Sequence, residues 1–447
     1  MIVPPERALR RRPIRDDRDR RIVRLAIPAL GTLAIEPLYV LVDTAIVGRI
    51  GTDALGGLGI AATVLLVVSV VIGFMEYGIT PDIAFAHGEG DARKARMAAT
   101  DAMWLTMFLG LPVALTVGLL ARPLASALGG TGGVLDAATI YLRASAFGLP
   151  FVMVAYVGHG VMRGINDLRR PLMIVFVANV VNLVLEIVAV WVLDWGIAGS
   201  AWSTVVVQMF AAVAFIAVLR PHLGRVRPAW ARMKPLLVTG LHLGLRGIAM
   251  IAVWVTITAV AARVDTPTLA ANQIAAQLFM FLALGLDALA IPAQSLVAGA
   301  QGAGDTDEAM AIGWATNRMS LWAAAGLAAA LAATCVVLPH LFTSDRAVIS
   351  RATAALLILA VMQFPGAVAF ALDGALIGAE DERYLGRAAV VNLVAFAPLA
   401  IATLVWPRLG IIGLWGAQLT WMVMRAVVNA RRWSSRRWAA NRPVRAG

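Results

Sequence analysis

The chain has 447 residues, of which 60% are hydrophobic and only 14% are charged, and its mean hydropathy is +0.81. Soluble domains average about 45–50% apolar and about 25% charged residues, so this composition excludes a soluble protein and predicts a membrane protein. The formal net charge of +12 would suggest a nucleic-acid partner in a hydrophilic chain. Here the arginines cluster at the ends of apolar segments, and we expect no nucleic-acid partner.

Twelve apolar segments follow one another along the chain. Most are about 20 or more residues long, as a helix that crosses ~30 Å of hydrocarbon must be. They cover residues 22–47, 55–80, 97–120, 137–161, 171–193, 196–219, 236–262, 269–300, 313–337, 348–377, 386–405 and 409–430. The sequence therefore predicts an all-α membrane protein with twelve transmembrane helices, in which the two longest segments could each include a surface turn.

Basic residues lie mainly on one side of this topology. An even number of spans places both termini on the same side, and most of the 38 lysines and arginines lie in the two tails and in the loops of that side. The opposite side holds six: Arg49, Arg122, Arg263, Arg346, Arg351 and Arg408. By the positive-inside rule, both termini are predicted to be cytoplasmic, with the protein in the cell membrane.

The second half of the chain repeats the first. Without gaps, residues 44–91 and 258–305 share 13 identities in 48 positions. Glycines recur in the same register further along: Gly160 and Gly374, Gly164 and Gly378, Gly196 and Gly410, and Gly199 and Gly413. Since each copy has an even number of spans, both copies insert in the same orientation. We predict two six-helix bundles related by a pseudo-two-fold axis along the membrane normal.

The repeat defines five segments. We predict a basic cytoplasmic tail (1–21), an N-lobe of helices one to six (22–219), a basic cytoplasmic linker (220–235), a C-lobe of helices seven to twelve (236–431) and a second basic cytoplasmic tail (432–447). A cleft between two such bundles, which opens alternately to either side, is typical of carriers.

Acids inside the predicted spans indicate a function, because an ionised carboxylate in hydrocarbon costs ~2.5–3.5 kcal/mol on insertion scales. Glu36 and Asp43 are two helical turns apart and share a face of the first span. Asn182 and Glu186 share a face of the fifth, and Thr204 begins the sixth. Such oxygen atoms could ligate a hard cation, and close acids can hold a proton. The alternative for Asp43 is a helix-end acid that reaches interfacial water.

The second copy serves as an internal control. In the register of the repeat, Asp43, Asn182, Glu186 and Thr204 correspond to Ile257, Phe396, Ala400 and Gln418. One lobe therefore builds the same fold with apolar residues where the other has acids. Folding alone does not require carboxylates at these positions.

Four segments, taken in this order, resemble the multidrug and toxic compound extrusion (MATE) transporters, especially their DinF-like branch. They are VDTAIVGRIG (42–51), MRGINDLRRPLM (162–173), NVVNLVLE (179–186) and GIAGSAWST (196–204). The resemblance covers roughly residues 22–430. It departs from the family at Asn166, where the family has glycine; asparagine tolerates a left-handed turn better than most residues.

The resemblance implies a twelve-helix antiporter that exports small organic, often cationic, compounds as protons or sodium ions enter. It also implies a cation site in the N-lobe, and no metal beyond a sodium ion there. The matching residues are Asp43, Asn182, Glu186 and Thr204. Glu186 is longer than the aspartate common at its position, which changes the size of the cavity.

Further polar residues are candidates for contact with the substrate in the cleft, with bonds to neighbouring helices as the alternative. They are Glu36, Asn179, Asp287, Gln294 and Asp373. Arg246 lies within the seventh span and needs an acidic or carbonyl partner that the sequence does not identify. We expect small organic substrates and membrane lipids as partners, and a protein that functions as a monomer.

Other classes of membrane protein were compared with the antiporter. A lipid-linked or polyprenyl-type flippase of the same layout should have a basic cleft for phosphate, and few arginines lie inside the predicted spans. A channel would pass ions without exchange. The chain has no HExxH, GxSxG or GxxxxGK[ST] motif, so we expect no enzyme. We also expect no cofactor, only H+ or Na+ as the coupling ion.

Overall fold

The computed structural model describes residues 15–224 and 227–440, which form twelve long helices and the short helix α4. The helices are α1 (Arg15–Gly48), α2 (Thr52–Gly88), α3 (Ala92–Leu119), α4 (Ala121–Ala127), α5 (Gly132–Gly164), α6 (Arg169–Ile187), α7 (Gly196–Leu219), α8 (Trp230–Val264), α9 (Thr266–Gly302), α10 (Thr306–Thr334), α11 (Arg346–Gly378), α12 (Glu382–Val405) and α13 (Gly410–Ser434). The predicted all-α fold with twelve long helices is confirmed.

Eleven of these helices in the described part of the chain are long and apolar enough to cross a membrane. The remaining long helix, α10, is rich in alanine and carries Asn317 and Arg318 near its middle, which lowers its hydropathy. The expectation of a surface turn in the two longest segments is wrong. Both α9 and α11 are continuous, and their extra residues extend the helices at the ends.

The repeat is visible in the helix boundaries. The helices α2, α3, α5 and α7 start at residues 52, 92, 132 and 196, and α9, α10, α11 and α13 start at 266, 306, 346 and 410. Every pair keeps the register that aligns the two halves of the sequence. The starts of these helices are therefore equally spaced in both copies.

A glycine and an aspartate explain one of these boundaries in both copies. Gly90 and Gly304 have φ angles of +76° and +75°, a conformation that ends a helix and favours glycine. Asp91 then accepts hydrogen bonds from the first backbone N–H groups of α3, and Asp305 does the same for α10. An N-cap of this kind is worth ~1 kcal/mol.

Apolar cores show where the two lobes meet. One core lies entirely within the N-lobe and another entirely within the C-lobe. A third is shared, since Ile22, Leu25 and Ala29 of α1 belong to the same core as Leu296 and Val297 of α9. We call this end of the bundle the basic face; it comprises residues 15–29, 77–88 and 291–302. The lobes are joined at the basic face, while their other cores remain separate.

The crossing of α2 and α9 at the basic face depends on glycine. A Cβ atom at Gly88 would overlap the carbonyl oxygen of Gly299, and one at Gly302 would overlap that of Phe85. Phe85 and Gly299 are related by the repeat, as are Gly88 and Gly302. Such a reciprocal contact is what a two-fold axis between two elements produces. The predicted pseudo-two-fold relation of the two bundles is confirmed.

We expect Gly88→Ala to separate the lobes at the basic face, because the added methyl group meets backbone that cannot move aside. The measurement is the distance between spin labels on cysteines that replace Arg93 and Asp307. It should lengthen, and stability should fall by about 1–3 kcal/mol, as overpacking generally costs.

The matched control is Gly299→Ala, which adds the same methyl group to the same crossing. Its Cβ atom would lie 3.7 Å from the carbonyl oxygen of Ala84, an ordinary contact. Equal label distances in Gly88→Ala and Gly299→Ala would contradict the role of Gly88.

Candidate functional site

The connection between α6 and α7 positions a polar pocket in the N-lobe. After α6 the chain makes a π-helical turn, Val188–Val192. Gly196 then opens α7 with a φ of +54°, which glycine adopts readily. A Cβ atom at Gly199 would lie 2.9 Å from the carbonyl group of Ala189, so α7 begins directly against the π turn. This contact brings the polar first turn of α7 beside the last turn of α6.

Asp43 and Glu186 meet in this pocket. The Ser200 hydroxyl donates a hydrogen bond of 2.9 Å to Oδ1 of Asp43. The carboxyl group of Glu186 lies close to both Asp43 and Ser200. Two carboxylates from α1 and α6 are thus neighbours, at the first turn of α7.

The other two predicted residues reach the same pocket through Tyr39. Its hydroxyl group pairs with Oγ1 of Thr204 at 3.0 Å and lies beside the side chain of Asn182. Tyr141 of α5 adds a second phenol next to Ser200. The structure therefore brings the four predicted residues together, with three further hydroxyl-bearing side chains around them.

The pocket is closed to solvent and has no positive side chain among the described residues. Asp43, Asn182 and Glu186 are 6%, 3% and 0% exposed. Oδ1 of Asn182 and both carboxyl oxygens of Glu186 accept no hydrogen bond from the described residues. Within that part of the chain, no lysine, arginine or histidine forms an ion pair with Asp43 or Glu186. A buried carboxylate pair needs a neutralising partner, and these oxygen atoms suit a proton or a sodium ion.

The C-lobe fills the corresponding space with apolar side chains. Ile257, Phe396 and Ala400 stand at the positions of Asp43, Asn182 and Glu186, and each is 0% exposed. All three belong to the C-lobe core. The fold is stable with hydrocarbon at these positions, so the carboxylates serve another purpose.

The candidate cleft residues divide into different environments. The Asn179 amide donates to the carbonyl oxygen of Val175, 2.8 Å away in its own helix. Gln294 is 2% exposed and donates to the carbonyl oxygen of Tyr77 at 3.0 Å, so it joins the two lobes at the basic face. The side chain of Glu36 lies outside the described residues.

Asp373 is the partner of Arg246 that the sequence left open. One carboxylate oxygen of Asp373 accepts hydrogen bonds from Arg246 at 2.5 Å and from Arg425 at 2.6 Å. Asn429 donates to the other oxygen at 2.7 Å. Asp287 is half-buried on α9, and its carboxylate lies within electrostatic reach of Arg246.

Sequence reasoning missed several members of these two clusters. They are Tyr39, Tyr141, Ser200, Arg425 and Asn429. All but Tyr141 lie one helical turn from another polar residue of the same span, and that spacing would have identified them. Tyr141 carries no such signal, because it reaches the pocket only through the packing of α5.

A family model, MatE, matches residues 28–188 and 244–406, with one matched range in each lobe. These ranges cover more than half of the chain, and the protein belongs to the MatE family. As a member of this family it is a multi-pass membrane transporter of the multidrug and toxin efflux class and not an enzyme.

Individual proteins of this family resemble the chain over nearly all of its length. It is 29% identical over 430 residues to Protein DETOXIFICATION 44, chloroplastic, of Arabidopsis thaliana, which covers 93% of this chain and 82% of the relative. It is 25% identical to DNA damage-inducible protein F of Escherichia coli (strain K12), with 94% of each covered. A crystal structure of MATE in the bent conformation has a TM-score of 0.88 at 20% identity, over 95% of this chain and 98% of that chain, and shows the same fold.

We expect Glu186→Gln to raise the unfolding temperature in sodium-free buffer at pH 8. The amide removes one of two adjacent acids and can donate a hydrogen bond to Asp43. A gain of at least ~1 kcal/mol corresponds to about 2–4 °C in a domain of ~200 residues. The measurement is thermal unfolding of the purified protein in detergent.

Asp136→Asn is the control for this experiment, because Asp136 is a surface acid of the same lobe with a side chain that is 61% exposed. Its unfolding temperature should stay near that of the wild type. A lower unfolding temperature for Glu186→Gln would show that the carboxylate of Glu186 is stabilised in the folded protein.

Proposed function

We propose that the protein exports small organic compounds, cationic or amphipathic, in exchange for protons or sodium ions. The observation that carries this proposal is the pair Asp43 and Glu186, buried side by side without a positive partner in the described residues. Such a pair is stable when a cation or proton neutralises it. It can release that ion when the pocket opens to water on the other side.

Coupling follows if the ion and the organic compound prefer different states of the transporter, or compete for the same negative charge. A ligand shifts an equilibrium between two states only by its difference in affinity for them. Binding of an ion to Asp43 and Glu186 in one state, and its loss in the other, supplies that difference. An inward ion gradient can then drive outward transport of the compound.

We propose that the basic face is cytoplasmic, as the distribution of arginine and lysine favours. The lobes are joined at this face, so the structure then represents a state closed toward the cytoplasm. Two ion pairs of 2.6 Å connect α1 of the N-lobe with α10 of the C-lobe there, Arg18 with Glu308 and Asp19 with Arg318. Both must break before the cleft opens inward.

The remaining assignments complete the proposal. The protein resides in the cell membrane with both termini in the cytoplasm, and it works as a monomer surrounded by lipid. The flippase alternative is not favoured, since the printed name of one relative, DETOXIFICATION, points to removal of toxic compounds and not to movement of lipid.

Transport of ethidium by reconstituted protein tests the coupling site. Proton and sodium gradients are imposed separately on proteoliposomes, and export driven by either gradient is recorded. Asp43→Asn should lower gradient-driven export by about 10-fold or more, because a fixed neutral group cannot exchange an ion; one pKa unit or tenfold corresponds to ~1.4 kcal/mol. Glu186→Gln should lower it by at least about twofold.

Asp136→Asn controls for the loss of an acid in the same lobe and should transport like the wild type. Export that is unchanged in both Asp43→Asn and Glu186→Gln would remove the basis of the proposal. The gradient that supports export in the wild type identifies the coupling ion.

Reversal of one ion pair tests the closed state. Arg18→Glu places two acids opposite each other, at positions 18 and 308, and should favour opening of the basic face by about fivefold, the ratio that ~1 kcal/mol produces. The double variant Arg18→Glu, Glu308→Arg should restore closure. Spin labels on cysteines at positions 93 and 307 report the populations.

Arg122→Glu is the matched control, because Arg122 pairs with Asp136 within the N-lobe surface. It should leave the populations unchanged. If Arg122→Glu and Arg18→Glu have the same effect, the ion pair across the lobes does not hold the basic face closed.

A further inference from the structure

The C-lobe contains a buried polar cluster of its own, built around two arginines. Arg246 of α8 and Arg425 of α13 converge on Asp373 of α11, at 2.5 and 2.6 Å. Their side chains are 19% and 7% exposed. Asp373 holds both guanidinium groups at one point in the middle of the lobe.

The N-lobe has nothing comparable at the corresponding positions. In the register of the repeat, Arg246, Asp373, Arg425 and Asn429 correspond to Thr32, His159, Ala211 and Phe215. The same bundle therefore folds without arginines at these positions. Buried ion pairs add little net stability compared with apolar side chains of similar volume. Charges inside a membrane protein that the fold does not need indicate a functional site.

The cluster has an excess of positive charge. Both guanidinium groups share the single carboxylate of Asp373. The next acid, Asp287, interacts electrostatically with Arg246 but is not in an ion pair with either arginine in the described part of the chain. The polarity is therefore opposite to that of the N-lobe pocket, which contains two carboxylates.

A narrow pocket lies directly beside the two arginines. Its space, counted out to the open mouth, is about 310 Å³. Arg246 donates only one hydrogen bond, to Asp373, among the described residues, and its other N–H groups remain available. Asn392 also lines the pocket, is 5% exposed and forms no hydrogen bond within the described ranges.

The opposite wall of the pocket is apolar and aromatic. It includes the side chains of Met250 and Trp421. The ring of Trp421 lies 4.8 Å from the guanidinium carbon of Arg425, which fixes the arginine by a cation–π contact. N–H donors on one side and a flat aromatic ring on the other suit a ligand that carries an anionic group next to an apolar ring.

We propose that this cluster binds an anionic group, a carboxylate or a phosphate, of the compound that the protein transports. The planar fork of Arg246 matches either group with two parallel hydrogen bonds. The Asn392 amide supplies a further donor, and Asp373 is a positioning residue that holds the two arginines. The inference rests on the proposed transport function and defines its substrates as compounds with an acidic group.

Binding of three matched probes tests this proposal. They are 1-naphthoate, 1-naphthyl phosphate and 1-naphthylmethylammonium, which share a ring system and differ in the charged group. Dissociation constants are measured by calorimetry on the purified full chain in detergent. We expect the wild type to bind at least one anionic probe, and the tighter of the two identifies carboxylate or phosphate as the recognised group.

Arg246→Gln should weaken binding of that anion by about 10-fold or more, as loss of a charged hydrogen bond of ~1.5–3 kcal/mol predicts. It should change binding of the ammonium probe by less than about twofold. Asp373 keeps Arg425 and Asn429 as partners in this variant. Asn392→Asp, which has the same shape and places an acid in the pocket, should weaken anion binding in the same way without removing any ion pair.

Arg122→Gln removes a surface arginine and should bind all three probes like the wild type. Absence of anion binding by the wild type, or anion affinities within twofold of wild type in both Arg246→Gln and Asn392→Asp, would overturn the proposal. Export of ethidium in proteoliposomes separates this failure from that of the proposed function. Intact gradient-driven export without anion binding sinks only the anion site, and anion binding without gradient-driven export sinks only the coupled transport.

Discussion

The burial of negative charge without a positive partner is the constraint on which the N-lobe depends. Glu186 is fully buried and its carboxyl group lies next to Asp43, while the described residues offer only hydroxyl and amide groups around them. Hydrocarbon outside and packed helices inside leave little other means of solvation. A mobile cation or proton can neutralise the pair, and the pair therefore makes the pocket sensitive to the ion supply on the side to which it opens.

The two lobes show how one scaffold carries two chemistries. Helix starts and the caps Asp91 and Asp305 follow the repeat, because they determine the backbone. Polar residues inside the bundles do not follow it: Asp43 faces Ile257 in the alignment, and Arg425 faces Ala211. Since either half folds with apolar residues at these positions, the charges are free to differ between lobes. The acids lie in one half and the paired arginines in the other.

Much of this was predictable from the sequence, for reasons that also define the limit. Apolar runs give the helices, and the repeat gives the two bundles. The spacing of Asn182 and Glu186 places them on one face of a helix. Which face of one helix meets which face of another depends on packing, and the sequence did not show that Tyr141 would join Asp43 or that Arg425 would meet Arg246. The left-handed turn was accessible from chemistry, since Asn166 has a φ of +60°, and its repeat counterpart Glu380 has one of +55°.

Closure at the basic face combines strong and weak contacts. The shared core and the backbone crossing at Gly88 are extensive, so a transporter that must also open there needs contacts of similar strength between the lobes elsewhere in its other state. The difference between the two states is then only a few kcal/mol, a range in which binding of one ion can reverse the populations. Neutralisation of Asp43 and Glu186 acts on this small difference and not on the total energy of either interface, because every other contact is made or broken in both directions of the cycle. A single buried pair can therefore control the movement of two six-helix bundles.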